Sequence, residues 1–251
     1  MTLSNAGGYV VGEHDLPMQA IPNANASVRV PIHRGVGCQH LLQRVYRYEM
    51  GSTPLAFNAE SEDILFVAAG WGEVRINGQP HALEADMGVY IPPKMPYQII
   101  NPHEEPLVVV SVLTPQPGET AQWQVEATLR ADGRLTVREA DQQPLAAGSR
   151  TFKLLVNDEI GCRNATQFIG FIPESKAPFH THPYEEVIYI VEGAGVVHVG
   201  DASIPVSAGS SIYLPPELRH CIENPNPQPI RLLGVFCPAG SPASKTSEDS
   251  A

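Results

Sequence analysis

The sequence predicts an all-β chain made of two similar barrels or sandwiches in tandem, on three observations. First, 24 Pro and 21 Gly stand in 251 residues with only 16 Lys and Arg, which leaves little room for long helices. Proline removes helix donors and glycine adds backbone entropy. Second, the apolar runs are short, β-branched or aromatic, and bounded by Gly-x-Gly turns, as strands are. Third, those runs repeat: "DILFVAAGWGEV" at residues 63–74 matches "EVIYIVEGAGVV" at 186–197, and "YIPPKMPYQIINP" at 90–102 matches "YLPPELRHCIENP" at 213–225, all at an offset of 123. A fixed offset without gaps marks a duplicated unit.

Taken in order, "VGC" at 36–38 meets "IGC" at 160–162 at an offset of 124, so one residue separates the copies here. Asn77-Gly78 and Gly200-Asp201 are two-residue hairpin turns. The Pro-Pro pairs at 92–93 and 215–216 mark strand edges or corners, because proline cannot donate to a ladder. Residues 116–150 join the copies, and a hairpin is expected at Asp132-Gly133. The expected units are residues 1–122, residues 123–240 and a small, polar, disordered tail at 241–251.

A formal net charge of -11 argues against a nucleic-acid partner. The start lacks a basic n-region and an apolar h-region, and no apolar run approaches the roughly 18–20 residues that span a bilayer. Cys38, Cys162, Cys221 and Cys237 form no CxxC, and reduced thiols in a cytoplasmic protein are expected. Cys38 and Cys162 recur in both copies, which favours packing over chemistry.

The chemistry concentrates in "PFHTHPYEEVIYIVEG" at 178–193. On a strand His180 and His182 leave the same face, and Glu186 shares their parity. Six straight strand residues cover about 20 Å, whereas metal ligands lie about 2.0–2.2 Å from the ion, so the chain must bend between His182 and Glu186. Pro183-Tyr184 supplies the corner, and Glu185 is expected to face outward. His220, after the second Pro-Pro pair, is the natural fourth ligand. Three imidazoles and one carboxylate suit a divalent transition metal with open positions. Burying that set with no metal would cost on the order of several kcal/mol per unsatisfied charge. Ile188 and Ile190 share inward parity with Glu186; they, and Gln167 and Ile169 from a preceding strand, are expected to wall the metal cavity and suit an aromatic or enolisable substrate.

These residues resemble the paired signature of the cupins, G-(x)5-H-x-H-(x)3,4-E-(x)6-G followed by G-(x)5-P-x-G-(x)2-H-(x)3-N. The first half reads His180, His182, Glu186 and Gly193; the second reads Gly209, Pro215, His220 and Asn224. Two glycines depart: Glu174 stands with five residues between it and His180, and Glu217 at the centre of the second half. Neither position is a ligand, so the departures bear on loop shape. The resemblance implies two conserved-barrel, jelly-roll type β-sandwiches, with one divalent metal in the second. Fe(II) or Mn(II) is favoured, and Ni or Zn is the alternative. At the same offset the first copy carries Phe57, Ala59, Asp63 and Tyr97, which is not a transition-metal set, so that barrel is expected to be metal-free.

By the same resemblance the expected function is metal-dependent catalysis on a small organic molecule, a dioxygenase of aromatic, flavonol or diketone-type substrates, with Glu186 also acting as a base. The alternatives are a non-redox lyase, isomerase or aminohydrolase, and a non-catalytic small-molecule-binding protein. No membrane partner is expected, and a homodimer through sheet edges is compatible with the fold.

Overall fold

A computed structural model describes residues 2–3, 7–118, 130, 132–243 and 246–247. Among them there is no α-helix, only strands and four single turns of 3-10 helix. None of its helices is long and apolar enough to cross a membrane.

Each copy is a sandwich of one large and one small sheet. In the first, a seven-stranded sheet centred on Glu62–Ala69 and Leu107–Thr114 faces a four-stranded sheet of Gly51–Ser52, Tyr97–Asn101, Trp71–Ile76 and Gln79–Glu84. In the second, an eight-stranded sheet centred on Glu185–Glu192 and Ile230–Cys237 faces a smaller one built on Ala194–Val199, Ala202–Ser207 and His220–Asn224. Both expected hairpins are present: Ile76 pairs with Gln79 and Val199 with Ala202. Asn77 (φ 49) and Gly78 (φ 79) take the left-handed conformation that such a turn requires.

The copies exchange strands. Tyr9–Gly12, at the start of the chain, pairs with Ser210–Leu214 of the second barrel. Thr136–Arg138, beyond residue 122, pairs with Met87–Ile91 of the first. Most of the segment that would form the first arm of the hairpin at Asp132-Gly133 lies outside the described residues. Of the tail expected to be disordered, residues 244–245 and 248–251 lie outside them too, whereas Thr246–Ser247 pairs with His180–Thr181.

The two barrels share one continuous apolar core. Ile64, Phe66 and Val110 of the first half pack in the same cluster as Ile169, Val187 and Val235 of the second. A second cluster, including Phe152, Phe168, Ile190 and Phe236, fills the second barrel. The large sheet of each half is therefore buried on both faces.

At the boundary two carboxylates form a reciprocal clasp. The turns Arg34–Val36 and Asp158–Ile160 each end on a glycine with φ of 103° (Gly37) or 100° (Gly161), which only glycine adopts readily. Those glycines deliver Cys38 and Cys162 to the opposite barrel. Glu185 accepts from the Gln39 N–H (2.7 Å), the His40 N–H (2.8 Å), the Tyr213 hydroxyl (3.0 Å) and the Cys38 thiol (3.5 Å). Glu62, one repeat earlier, accepts from Asn164 (2.8 Å), the Tyr90 hydroxyl (3.1 Å) and the Cys162 thiol (3.5 Å). The outward orientation expected for Glu185 is thus corrected: its side of the strand meets the other barrel, and only 2% of the residue is exposed. Burial pushes both cysteine thiols up, as expected of packing residues.

Burial also raises the Glu62 pKa, against hydrogen bonds from Asn164, Tyr90 and Cys162 that lower it. The native state then holds a proton that the unfolded chain releases. The resulting stability is complete below the ordinary carboxylate pKa and is lost as pH rises through the raised folded value. Glu62→Gln keeps an acceptor for Tyr90 and Asn164 and turns its amide toward the Cys162 sulfur. Relative to wild type, its melting temperature is expected to be equal or higher at neutral pH and to lose ground as pH falls toward the ordinary carboxylate range. Melting curves across that range check this; a constant difference would contradict it.

Candidate metal centre

Two sheets supply the ligands. His180 and His220 are directly opposed across the small sheet, while Glu186 belongs to the large one. The chain turns from His180–Thr181 to Glu185–Glu192 through Pro183-Tyr184, which carries it between the sheets. The bend that the sequence requires is therefore a sheet-to-sheet crossing.

The donor atoms of His180, His182 and His220 lie within 4.8 Å of one another. Glu186 Oε2 lies 3.9 Å from Nε2 of both His182 and His220. Opposite ligands of one ion at 2.0–2.2 Å are up to about 4.4 Å apart, so only a small contraction would seat a metal. All four residues are buried, between 4% and 6% exposed. The Pro178 carbonyl lies 3.2 Å from His180 Nδ1, and the Leu218 carbonyl 2.8 Å from His220 Nδ1. Carbonyls only accept, so Nδ1 is the donor of each ring, and Nε2 is the nitrogen available to a metal. The donor set, its spacing and its tautomers fit a divalent metal ion.

The loop bearing His220 keeps its shape without the signature glycine. Glu217 adopts φ 60°, and its N–H donates to the His182 carbonyl at 2.7 Å. That bond ties the two ligand-bearing segments together.

A cavity of about 550 Å³, including its open mouth, adjoins the ligands. Of the four wall residues expected from sequence, Ile188 lines it. Ile190 belongs to the core cluster of the second barrel, away from the lining. Gln167 and Ile169 are corrections. Glu186 pairs with Phe236, and Ile188 and Phe168 both pair with Gly234, so Phe168 and Gly170 share the inward face. Gln167 instead donates to the Leu65 carbonyl of the first barrel (3.3 Å), and Ile169 joins the shared core. The inward face of this strand is not marked by pattern, because Thr166–Ile172 is buried on both faces.

The actual wall is aromatic. Phe168 stacks on Phe236 at 5.0 Å and meets Phe152 edge-on at 6.3 Å. Tyr184 lies between His182 (5.1 Å) and Phe236 (4.4 Å), with its hydroxyl on the Ser241 carbonyl. Arg150 also lines the cavity. Of these, sequence pointed only to Tyr184, and as a corner rather than as part of the wall. Nothing local in the sequence marks Arg150 or Phe236.

In the first barrel two of the corresponding positions, Asp63 and Tyr97, belong to an ion-pair cluster, while Phe57 is exposed. Asp63 accepts from Ser111 (2.6 Å), Tyr97 (2.7 Å) and Arg44 (3.1 Å). By register with Ser111, Arg44 takes the inward place of Phe168.

The Cupin domain model matches the chain twice, at residues 45–113 and 168–236. Protein Ylba from E. coli superposes with a TM-score of 0.76 at 14% identity, over 94% of this chain and 93% of that one. A variant of Bacillus subtilis oxalate decarboxylase also gives 0.76, at 15% identity, over 99% and 81%. At these identities the likeness concerns the fold. The tetracenomycin polyketide synthase protein TcmJ of Streptomyces glaucescens is 27% identical over 123 residues, 47% of this chain and 80% of that protein. An uncharacterized protein of Methanocaldococcus jannaschii is 38% identical over 60 residues, 24% of this chain, and the match spans about half of its length (48%).

Proposed function

The chain belongs to the cupin family and carries two cupin domains, and from that premise we propose that its second barrel is a metal-dependent catalytic site, and that the reaction is dioxygenation of a small aromatic, flavonol or diketone-type molecule. The observation that carries this reading is the buried three-histidine, one-glutamate convergence opening into an aromatic-walled cavity. The Mn(II) centres named for Bacillus subtilis oxalate decarboxylase support a divalent metal here, with Fe(II) or Mn(II) preferred. The TcmJ relative, a polyketide synthase protein, supports an oxygen-rich aromatic or diketone substrate.

His180, His182, His220 and Glu186 would hold the ion. A divalent ion there supplies Lewis acidity and, where redox-active, one-electron chemistry. Glu186 is the carboxylate nearest the imidazoles and the group placed to take a proton from the bound substrate. Phe152, Phe168 and Phe236 hold an apolar body and exclude water, which strengthens electrostatic contacts at the ligands.

The test is oxygen uptake by the Fe(II)- or Mn(II)-loaded protein across catechols, flavonols and β-diketones. Consumption tied to one substrate is the expected result. Turnover without oxygen would favour a lyase, isomerase or aminohydrolase; tight binding without turnover would favour a binding protein. Either outcome overturns the dioxygenase reading.

A further inference from the structure

Arg150 sits in the cavity wall, and among the described residues no carboxylate pairs with it. Its Nη2 donates to the Ile222 carbonyl, on the strand that begins with His220. Its Nε is buried and makes no hydrogen bond. Burial lowers the guanidinium pKa, opposed by the neighbouring Cys221 sulfur. Neighbouring cations are differently placed: Lys176 pairs with Glu223 at 3.1 Å, and Arg219 lies over the Phe179 ring at 4.1 Å.

A guanidinium that is partly buried, with its Nε fully so and no carboxylate beside it among the described residues, is costly unless a ligand supplies the negative charge. The same cavity would hold a divalent ion balanced by a single carboxylate, Glu186, so both ends of the space are short of anionic charge. His220 and Ile222 are two residues apart on one strand, roughly 7 Å, and both line the cavity. That interval is the length of a small bifunctional molecule. Phe152, Phe168 and Leu232 supply apolar surface for its body.

Resting on the metal-centre reading above, we propose that the second barrel selects a small organic anion with an apolar body. Its carboxylate or enolate is received by Arg150, and its other oxygen faces the histidine cluster. Arg150 is then the specificity-determining residue of the site. Arginine suits the task because its planar fork can bond one carboxylate through two N–H groups.

The test uses the full chain loaded with Zn(II), which is redox-silent, and isothermal titration with salicylate and its neutral counterpart salicylamide at mildly acidic pH. Wild type is expected to favour salicylate by about tenfold or more, the effect of a charge-assisted hydrogen bond. Arg150→Gln is expected to lose that preference while binding salicylamide within about twofold of wild type, and Arg150→Lys to retain part of it, since charge remains and the fork is lost. A wild type without the preference, an unaltered Arg150→Gln, or an equal loss for both probes would overturn the assignment. Metal content separates the two readings. If no variant retains zinc yet the charge preference still depends on Arg150, the metal centre fails and the anion site stands. If zinc is retained and Arg150→Gln changes nothing, the reverse holds.

Discussion

Replacing His182 or His220 with alanine is expected to lower metal affinity by more than about 100-fold, since losing a group behind a ligand already costs about 10–100-fold. Stoichiometry in the purified protein should fall from near one ion per chain to near zero, and oxygen uptake should fall with it. Each histidine supplies one of four donors, and the Nδ1 bond from His220 to the Leu218 carbonyl fixes a ring that no neighbour can replace. Tyr97→Phe in the first barrel serves as the control. It removes one of three donors to Asp63 and should leave metal content unchanged. Atomic emission on dialysed samples checks both. Wild-type metal content in the histidine variants, or metal lost from Tyr97→Phe, would contradict the assignment.

The ligands could be read from sequence because they are polar residues in a setting that otherwise buries carbon, at spacings a strand makes interpretable. The repeat was legible for a similar reason: Gly70 and Gly193, or Asn101 and Asn224, are residue types that strands do not exchange freely. The face of each inner strand was not legible. Thr166–Ile172 and Glu185–Glu192 are buried through most of their length, so no polar alternation distinguishes the lumen from the inter-barrel contact. Gln167 was misplaced for that reason; Glu185 was given the correct side, opposite Glu186, but that side meets the other barrel rather than water. Strand exchange and the approach of Arg150 to Ile222 depend on pairing between distant segments, which local pattern does not encode.

Glu185→Ala is the second large effect expected. It leaves the Gln39 and His40 N–H groups and the Tyr213 hydroxyl without their acceptor at a partly buried boundary. Each unsatisfied buried donor costs about 1–3 kcal/mol, and water reaches some of these, so a loss of about 2–4 kcal/mol is expected. For a chain of this size that corresponds to a melting temperature lower by roughly 5–15 °C. Glu185→Gln should recover only part. Oε1 faces the Gln39 N–H and Oε2 the His40 N–H, so either orientation of the amide sets its NH2 against a backbone donor. Glu62→Gln should be tolerated, which makes the pair a direct comparison between two related positions. Equal melting temperatures for the Gln variants would show that the clasp at Glu185 contributes nothing beyond its shape.

Anomalous scattering from a crystal soaked in Mn(II) addresses the metal centre most directly. The expected map has one strong peak, within bonding distance of Nε2 of His180, His182 and His220 and of a Glu186 oxygen, and none beside Asp63 and Tyr97. A peak in the first barrel, or a second barrel without one, would contradict it.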